Sequence, residues 1–388
     1  MSESAVEVAR RLAPGFAERA AAHDRDAEFP KADFDDLRAA GLLGLMVPTR
    51  LGGSGATFAE YAAVAYELAR GNGATALVFN MHASVTGALA TTPEDLARAL
   101  GAPESFFAAR DRVLTNAAEG ALYAVAMSER GAGSRFTEMT TSYEREGDGW
   151  RIRGRKTFCS GAGHADAYLV VARSVDGDPP RISQFLVPDG PGLTVEQTWD
   201  PLGMRATASH DVEVDVVAPD DALLGGVEGL AVLLAQVMPQ WLVASYAAVY
   251  VGVARAAVDA AVAHIAQRGL IHLPAVRARI GRADAAVEAA RLITDDAARR
   301  VDAAPGDPET NSAVYRAKLL AGETAQDVAA SMLEASGTSA TRRGHPLERI
   351  YRDARCGSLQ PATSDVCADW LGAVSLGLDP HASEVSRW

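Results

Sequence analysis

The hydrophobic pattern of this chain changes period twice, and that limits its architecture more than any single motif. Up to about residue 117 the apolar positions recur every three to four residues, as on a helix buried along one face. Segment 6–22 is amphipathic. Segment 34–40 carries Leu37 and stops at Gly41, and the apolar runs 58–68 and 74–88 are parted by Gly71-Asn72-Gly73. From about 118 to 227 the period falls to two. Asp211-Val212-Glu213-Val214-Asp215-Val216 alternates cleanly, and 121–128, 167–172, 183–187 and 193–197 read as further strands. Turn clusters at 176–180 and 189–192 separate them. From 228 onward long Ala-rich helical runs return at 247–267, 275–302 and 311–333. The pattern predicts an α+β chain: an N-terminal helical domain over 1–117, a β-barrel or sandwich over 118–227, and a helical bundle over 228–388.

With 388 residues, 48% of them hydrophobic, the chain can bury a large core in two or three domains. A net charge of −13 and no Lys/Arg cluster argue against nucleic acid as a partner. Cys159, Cys356 and Cys367 form no CxxC pair, and the eight histidines do not cluster at ligand spacing, so no disulfide framework and no metal is expected. The first eleven residues carry charges where a signal peptide needs an apolar run, and a reducing cytoplasm is expected. Residues 229–254 hold no charge and are long enough to suggest a membrane span. Pro239 beside Gln240, followed by Ser245, Tyr246 and Tyr250, favours a buried helix over a span, and no membrane partner is expected.

The chemistry concentrates between Val125 and Gly161. An apolar strand runs into Ser128-Glu129-Arg130-Gly131-Ala132-Gly133-Ser134-Arg135, where Gly131 and Gly133 can take positive φ and turn backbone N–H groups toward an anion. Asp148-Gly149 is a hairpin signal, and the returning strand ends Gly154-Arg155-Lys156-Thr157-Phe158-Cys159-Ser160-Gly161. Together and in this order the two segments resemble the flavin-binding β-domain of the acyl-CoA dehydrogenase superfamily. The run 41–53 (Gly-Leu-Leu-Gly-Leu-Met-Val-Pro, then Gly52-Gly53), the run Leu202 to Thr207 and the late segment Leu347 to Arg355 are also similar to it. The resemblance covers nearly the whole chain. It implies that the C-terminal helices form a four-helix bundle and that the protein assembles as a homodimer or homotetramer.

The resemblance implies FAD as cofactor, with FMN the lesser fit. It carries cofactor contacts over to Met127, Ser128, Gly133, Ser134, Phe158 and Ser160, and to Arg268 for a neighbouring subunit's flavin. Phe158 would wall the ring, and Ser160 would donate toward its N5/O4 edge. The departures are as informative. A dehydrogenase needs a carboxylate to take the substrate's α-proton. The family's usual Glu would fall near Pro361, and its second known location lies near Leu242; neither position offers one. Asp365, Glu334 and His210 remain as candidate bases.

Three functions follow. The first is α,β-dehydrogenation of an acyl thioester, on CoA or a carrier protein, with hydride transfer to flavin N5 and an electron-transfer partner. The alternative is a monooxygenase acting on carbon or nitrogen of a small molecule with reduced flavin and O₂, supplied by a flavin reductase. It needs no α-proton base but does need a dry pocket. The third is a homologue that keeps the fold without catalysis.

Overall fold

The computed structural model describes residues 3–382. Helix α1 (Ala5–Asp26) begins at a capping box in which Ser4 and Glu7 bond each other's backbone N–H. It packs along α3 (Phe58–Gly71), whose start uses the same device between Thr57 and Glu60. Short α2 (Lys31–Ala39) lies between them in sequence. Helix α4 (Gly73–Ala90) is buried on nearly every face, which explains an apolar run with little polar stripe. Helices α5 (Glu94–Ala99) and α6 (Glu104–Ala118) follow, each entered through a proline, Pro93 and Pro103.

Seven strands come next: β1 (Tyr123–Ala126), β2 (Ser142–Glu146), β3 (Gly149–Cys159), β4 (Ala167–Ser174), β5 (Ile182–Pro188), β6 (Leu193–Glu196) and β7 (His210–Pro219). Strand β4 is the branch point. Its first half pairs with β1 and its far end with β2, both parallel, while β5 lies antiparallel on its other edge. From β2 the sheet continues antiparallel through β3, β7 and β6. Tyr168, Val170 and Ala172 of β4 enter the core of the curled sheet with Tyr143, Trp150 and Phe185. Ala167, Leu169 and Val171 face the helical core instead. A strand buried on both faces cannot alternate, so β4 reads as one apolar run.

The strand predicted over 121–128 is shorter than expected, because the chain turns away after Ala126. The β2–β3 hairpin also differs by one residue. Glu146 pairs with Gly149, so the two loop residues are Gly147 and Asp148, with Gly147 at φ +60°. Glycine is needed at the first loop position, where φ is positive.

Helices α7 (Leu230–Val237), α8 (Ala244–Gln267), α9 (Pro274–Ala303), α10 (Pro308–Ser336), α11 (Pro346–Arg355) and α12 (Ser364–Ser375) complete the chain. The apolar stretch Pro239–Gln267 is long enough to cross a membrane, yet 83% of its most apolar 18-residue window is buried within the protein. Helix α8 packs against α3, α4, α9, α10 and α11. The sheet is tied to the bundle through the loop after β6. The Asp353 carboxylate of α11 accepts the Met204 N–H at 2.6 Å, and Arg352 reaches Asp24 of α1 and the Leu202 carbonyl. A Cβ on Gly203 would come within 2.1 Å of the Arg352 carbonyl, so the loop lies flat on α11 only with glycine there.

Candidate active site

The ends of β1 and β3, the face of α4, the segment 240–246 and the residues from 356 to 369 enclose one cavity of about 960 Å³. Its walls are mostly apolar, among them Met81, Val85, Leu89, Leu169, Trp241 and Leu359. Six of the carried-over cofactor residues line it: Met127, Ser128, Gly133, Ser134, Phe158 and Ser160.

The turn after β1 is closed by two backbone bonds, Glu129 N–H to the Gly133 carbonyl at 3.0 Å and Gly133 N–H to the Glu129 carbonyl at 2.8 Å. Gly133 therefore uses its own N–H internally, against the expectation that it points outward. The Gly131, Ala132 and Ser134 amides have no acceptor among the described residues, and of these Ser134 lies on the cavity wall, so the turn keeps backbone donors free for an anion. Gly131 and Gly133 sit at φ +90° and +61° with open space before them.

A buried ion pair fixes the turn from beneath. Glu129 reaches Lys156 Nζ at 2.8 Å and accepts Thr140 N–H, Thr140 Oγ1–H and Thr141 N–H at 2.7, 2.7 and 3.0 Å. Burial alone would raise the Glu129 carboxyl, but the Lys156 charge and these donors outweigh it and hold it at about 2. Burial pulls the Lys156 ammonium down, with Glu129 opposing. Sequence reasoning quoted both residues without a role for either. The signal was a lone lysine at an inward position of a strand, Lys156 sharing parity with Trp150 and Ile152. Arg130, where the family has proline, bonds Asp211 of β7, which also accepts the Thr157 hydroxyl.

Phe158 is brought to the cavity by a register shift. Trp150, Ile152 and Lys156 point inward, but between Lys156 and Cys159 the β3–β7 ladder slips. Cys159 then faces the core, and Phe158, at φ +57°, turns out with 61% of its surface exposed. Its ring stands edge-on to Trp199, with centroids 5.9 Å apart. A left-handed aromatic residue is strained by about 1–2 kcal/mol. Burial pushes the Cys159 thiol up to about 12, so it is a packing residue and no nucleophile.

Ser160 Oγ lies 2.9 Å from Ser209 Oγ, which lies 2.6 Å from Thr207 Oγ1; Thr207 in turn donates to the Met204 carbonyl at 3.0 Å. Each hydroxyl has a single proton. With Thr207 donating to Met204, the chain runs from Ser160 to Ser209 to Thr207, and Ser160 offers lone pairs to the cavity. In the reverse direction Ser160 donates, while the Met204 carbonyl keeps the Trp199 indole N–H at 3.2 Å. Ser160 can thus meet either a donor or an acceptor.

The candidate bases separate. Asp365 lines the cavity from the first turn of α12, with Asp369 one turn on. Glu334 pairs with Arg279 at 2.6 Å on the exposed surface and is not part of the cavity wall. His210 accepts the Thr198 and Trp199 N–H groups on Nδ1 and shapes that loop. Arg268 is exposed at the end of α8, and within one chain it does not reach the cavity. Where the family's carboxylate was sought, Gln360 and Pro361 line the wall; Gln360 Oε1 accepts the Tyr250 hydroxyl at 2.7 Å.

The residues present fit a flavin: flat apolar walls, an exposed ring at Phe158, free amides on the turn, and a hydroxyl of adjustable polarity. Comparison with known proteins agrees. Three family profiles match the chain: the N-terminal domain of acyl-CoA dehydrogenases over residues 3–99, the middle domain over 124–217 and the C-terminal domain over 236–373. L-evernosamine nitrososynthase of Micromonospora sp. is 33% identical, with 96% of this chain and 90% of that protein aligned. The short-chain specific mitochondrial acyl-CoA dehydrogenase of Bos taurus is 30% identical, with 92% and 86% aligned. Among solved structures, KijD3 in complex with FMN and a dTDP-linked amino sugar superposes with a TM-score of 0.84 at 28% identity, over 100% of both chains. FMN-bound TdsC of Paenibacillus sp. A11-2 gives 0.83 at 27%, over 96% and 97%. The chain belongs to the acyl-CoA dehydrogenase family of flavin-dependent oxidoreductases.

Proposed function

We propose that the chain is a flavin-dependent monooxygenase that acts on a small molecule with reduced flavin and O₂. This reverses the order in which the sequence ranked the two reactions. One observation carries it: where the resemblance would place a dehydrogenase's base, the cavity wall presents the neutral side chains of Gln360, Pro361 and Leu242, and most of that wall is apolar. The likeness to nitrososynthases and to TdsC supports the same reading. FAD suits the free amides of the turn, and FMN is the alternative that the solved neighbours bring. The flavin supplies the oxygen chemistry. The chain's own residues shape the site: Phe158 and the apolar walls hold a ring and exclude water, the free amides of the turn take phosphate, and Ser160 adjusts its proton to the ring edge.

The test is rapid mixing of the fully reduced, flavin-loaded protein with O₂. A transient absorbance, distinct from both reduced and oxidised flavin and outlasting mixing, is expected. Direct return to oxidised flavin overturns the reading. Dehydrogenation has one observation in its favour, Asp365 on the cavity wall. If Asp365 were the base, anaerobic acyl-CoA would bleach the flavin, and Asp365→Asn would slow that bleaching by about 10²–10⁴-fold. We expect no bleaching by acyl-CoA, and an O₂ reaction in Asp365→Asn within about twofold of the native rate. Phe158→Ala is expected to weaken flavin binding roughly tenfold, since an aromatic contact contributes about 1–1.5 kcal/mol. It should leave the flavin-free melting temperature nearly unchanged, because the ring is 61% exposed and alanine keeps the Cβ that strains φ. Fluorescence titration of released flavin measures the first effect and calorimetry the second.

A further inference from the structure

Beyond the ends of β1 and β3, helices enclose the rest of the cavity, and they present apolar side chains. Leu89 of α4, Leu230 and Leu234 of α7 and Val366 of α12 line it. Leu96 of α5 and Leu359 line it as well, yet are 51% and 57% exposed, so the opening itself is rimmed by apolar groups. Trp241 and Tyr246 share this wall with Met81 and Met238, and the Tyr246 hydroxyl lies 3.7 Å from the Met81 sulfur. Aromatic rings and thioether sulfurs both gain from contact with another ring, beyond the area they bury. We infer that the substrate is an uncharged aromatic molecule taken up free, with no phosphate or carboxylate and no nucleotide or CoA attached.

The charges about the cavity disfavour an anion. The lining residues include one cation, Arg135, and two carboxylates, Asp365 and Asp369 of α12, both on exposed residues. Arg135 is engaged within its own turn, pairing with Glu138 at 2.6 Å and donating to the Gly131 carbonyl at 2.9 Å. Arginines on the neighbouring elements are engaged too. Arg98 of α5 pairs with Glu104, and Arg181, beside Gly229 at the start of α7, pairs with Glu228 at 2.9 Å. A pyrophosphate needs cations or N–H donors. The turn after β1 has free amides, and on the proposed reading the flavin phosphate takes them. A second anion would meet the α12 carboxylates instead, on a chain of net charge −13. The assignment rests on the proposed function in seating the flavin at the β1 and β3 ends and in taking the bound molecule as the one oxygenated; binding itself needs no O₂.

The test titrates oxidised, flavin-loaded full-length protein at low salt with benzyl alcohol, benzoate, cyclohexylmethanol and dTDP. The first three are alike in shape and differ in charge or in the ring. Flavin absorbance and tryptophan fluorescence report binding. Benzyl alcohol is expected to give a saturable change. Cyclohexylmethanol should bind about fivefold more weakly, the size of one aromatic contact. Benzoate should bind about tenfold more weakly than benzyl alcohol, and Asp365→Asn should narrow that gap about threefold while benzyl alcohol affinity holds. The nucleotide should neither change the spectrum nor displace benzyl alcohol. Benzoate within about threefold of benzyl alcohol, cyclohexylmethanol within about twofold of it, displacement by dTDP, an unchanged benzoate gap in Asp365→Asn, or no saturable change with benzyl alcohol each overturns the proposal. If benzyl alcohol binds as expected while the O₂ experiment yields no transient, the reaction assignment alone fails. If the transient appears and dTDP displaces benzyl alcohol, the substrate assignment alone fails.

Discussion

Replacing Lys156 with methionine is expected to destabilise the protein by about 3–5 kcal/mol and to abolish tight flavin binding. Lys156 has no exposed surface, and its partner Glu129 is 3% exposed. Removing the ammonium leaves the Glu129 carboxylate buried with its charge opposed only by the hydroxyl and two backbone N–H groups of Thr140 and Thr141. The pair also joins two segments that local contacts do not hold together. Glu129 begins the turn that Gly133 closes, and Lys156 lies on β3, 27 residues away. Losing it frees the turn that brings Gly133 and Ser134 to the cavity wall. The double variant Glu129→Gln with Lys156→Met should recover a large part of the loss, because neither charge is then stranded. Urea midpoints for the two singles and the double, with flavin affinity from fluorescence, measure this. If Lys156→Met lies within about 1 kcal/mol of the native protein, the pair is not the clamp described here.

The same pair shows what sequence reasoning could reach. The order of helices, strands and helices was legible because burying one face of each element imposes a period, and periods survive without tertiary knowledge. That Met127, Ser128, Gly133, Ser134, Phe158 and Ser160 come together on one cavity wall at the ends of β1 and β3 was legible because a glycine turn and an aromatic strand end are local features. The partner of Lys156 was not, since it depends on which strand end lies above β3. Phe158 reached the cavity for a reason that alternation hides: by parity it belongs inside, and only the slip at Lys156/Cys159 turns it out. Glu334 and His210 show the converse error, being chosen for their chemistry while the fold engages them with Arg279 and with the Trp199 loop.

Acid is expected to unfold the protein through His82 before the carboxylates matter. His82 is 1% exposed on α4. Its Nδ1 accepts the Tyr123 N–H at 3.1 Å, so the neutral ring carries its proton on Nε2 and donates it to the Leu43 carbonyl at 2.7 Å. Burial lowers its pKa from 6.5 to about 4, with the Leu43 bond opposing. In the unfolded chain the ring charges near 6.5, so the unfolded state takes up a proton that the folded state refuses. The stabilisation is complete above pH 6.5 and is lost as the pH falls toward about 4, amounting to about 3 kcal/mol at 1.36 kcal/mol per unit. Glu129 follows lower, its contribution being lost between its ordinary carboxylate range and about 2. His164, His210 and His345 are also pulled down by burial and tilt the slope the same way. The part due to His82 is therefore the difference between the native protein and His82→Gln, whose side chain is neutral throughout. Denaturant midpoints between pH 8 and 4 should show His82→Gln less stable at pH 8 and less steep below 6.5; equal slopes would remove His82 from the account. Because the Tyr123 N–H that His82 holds begins β1, and Ser128 lies five residues on at the cavity, flavin fluorescence should rise over the same pH window in the native protein and less so in the variant.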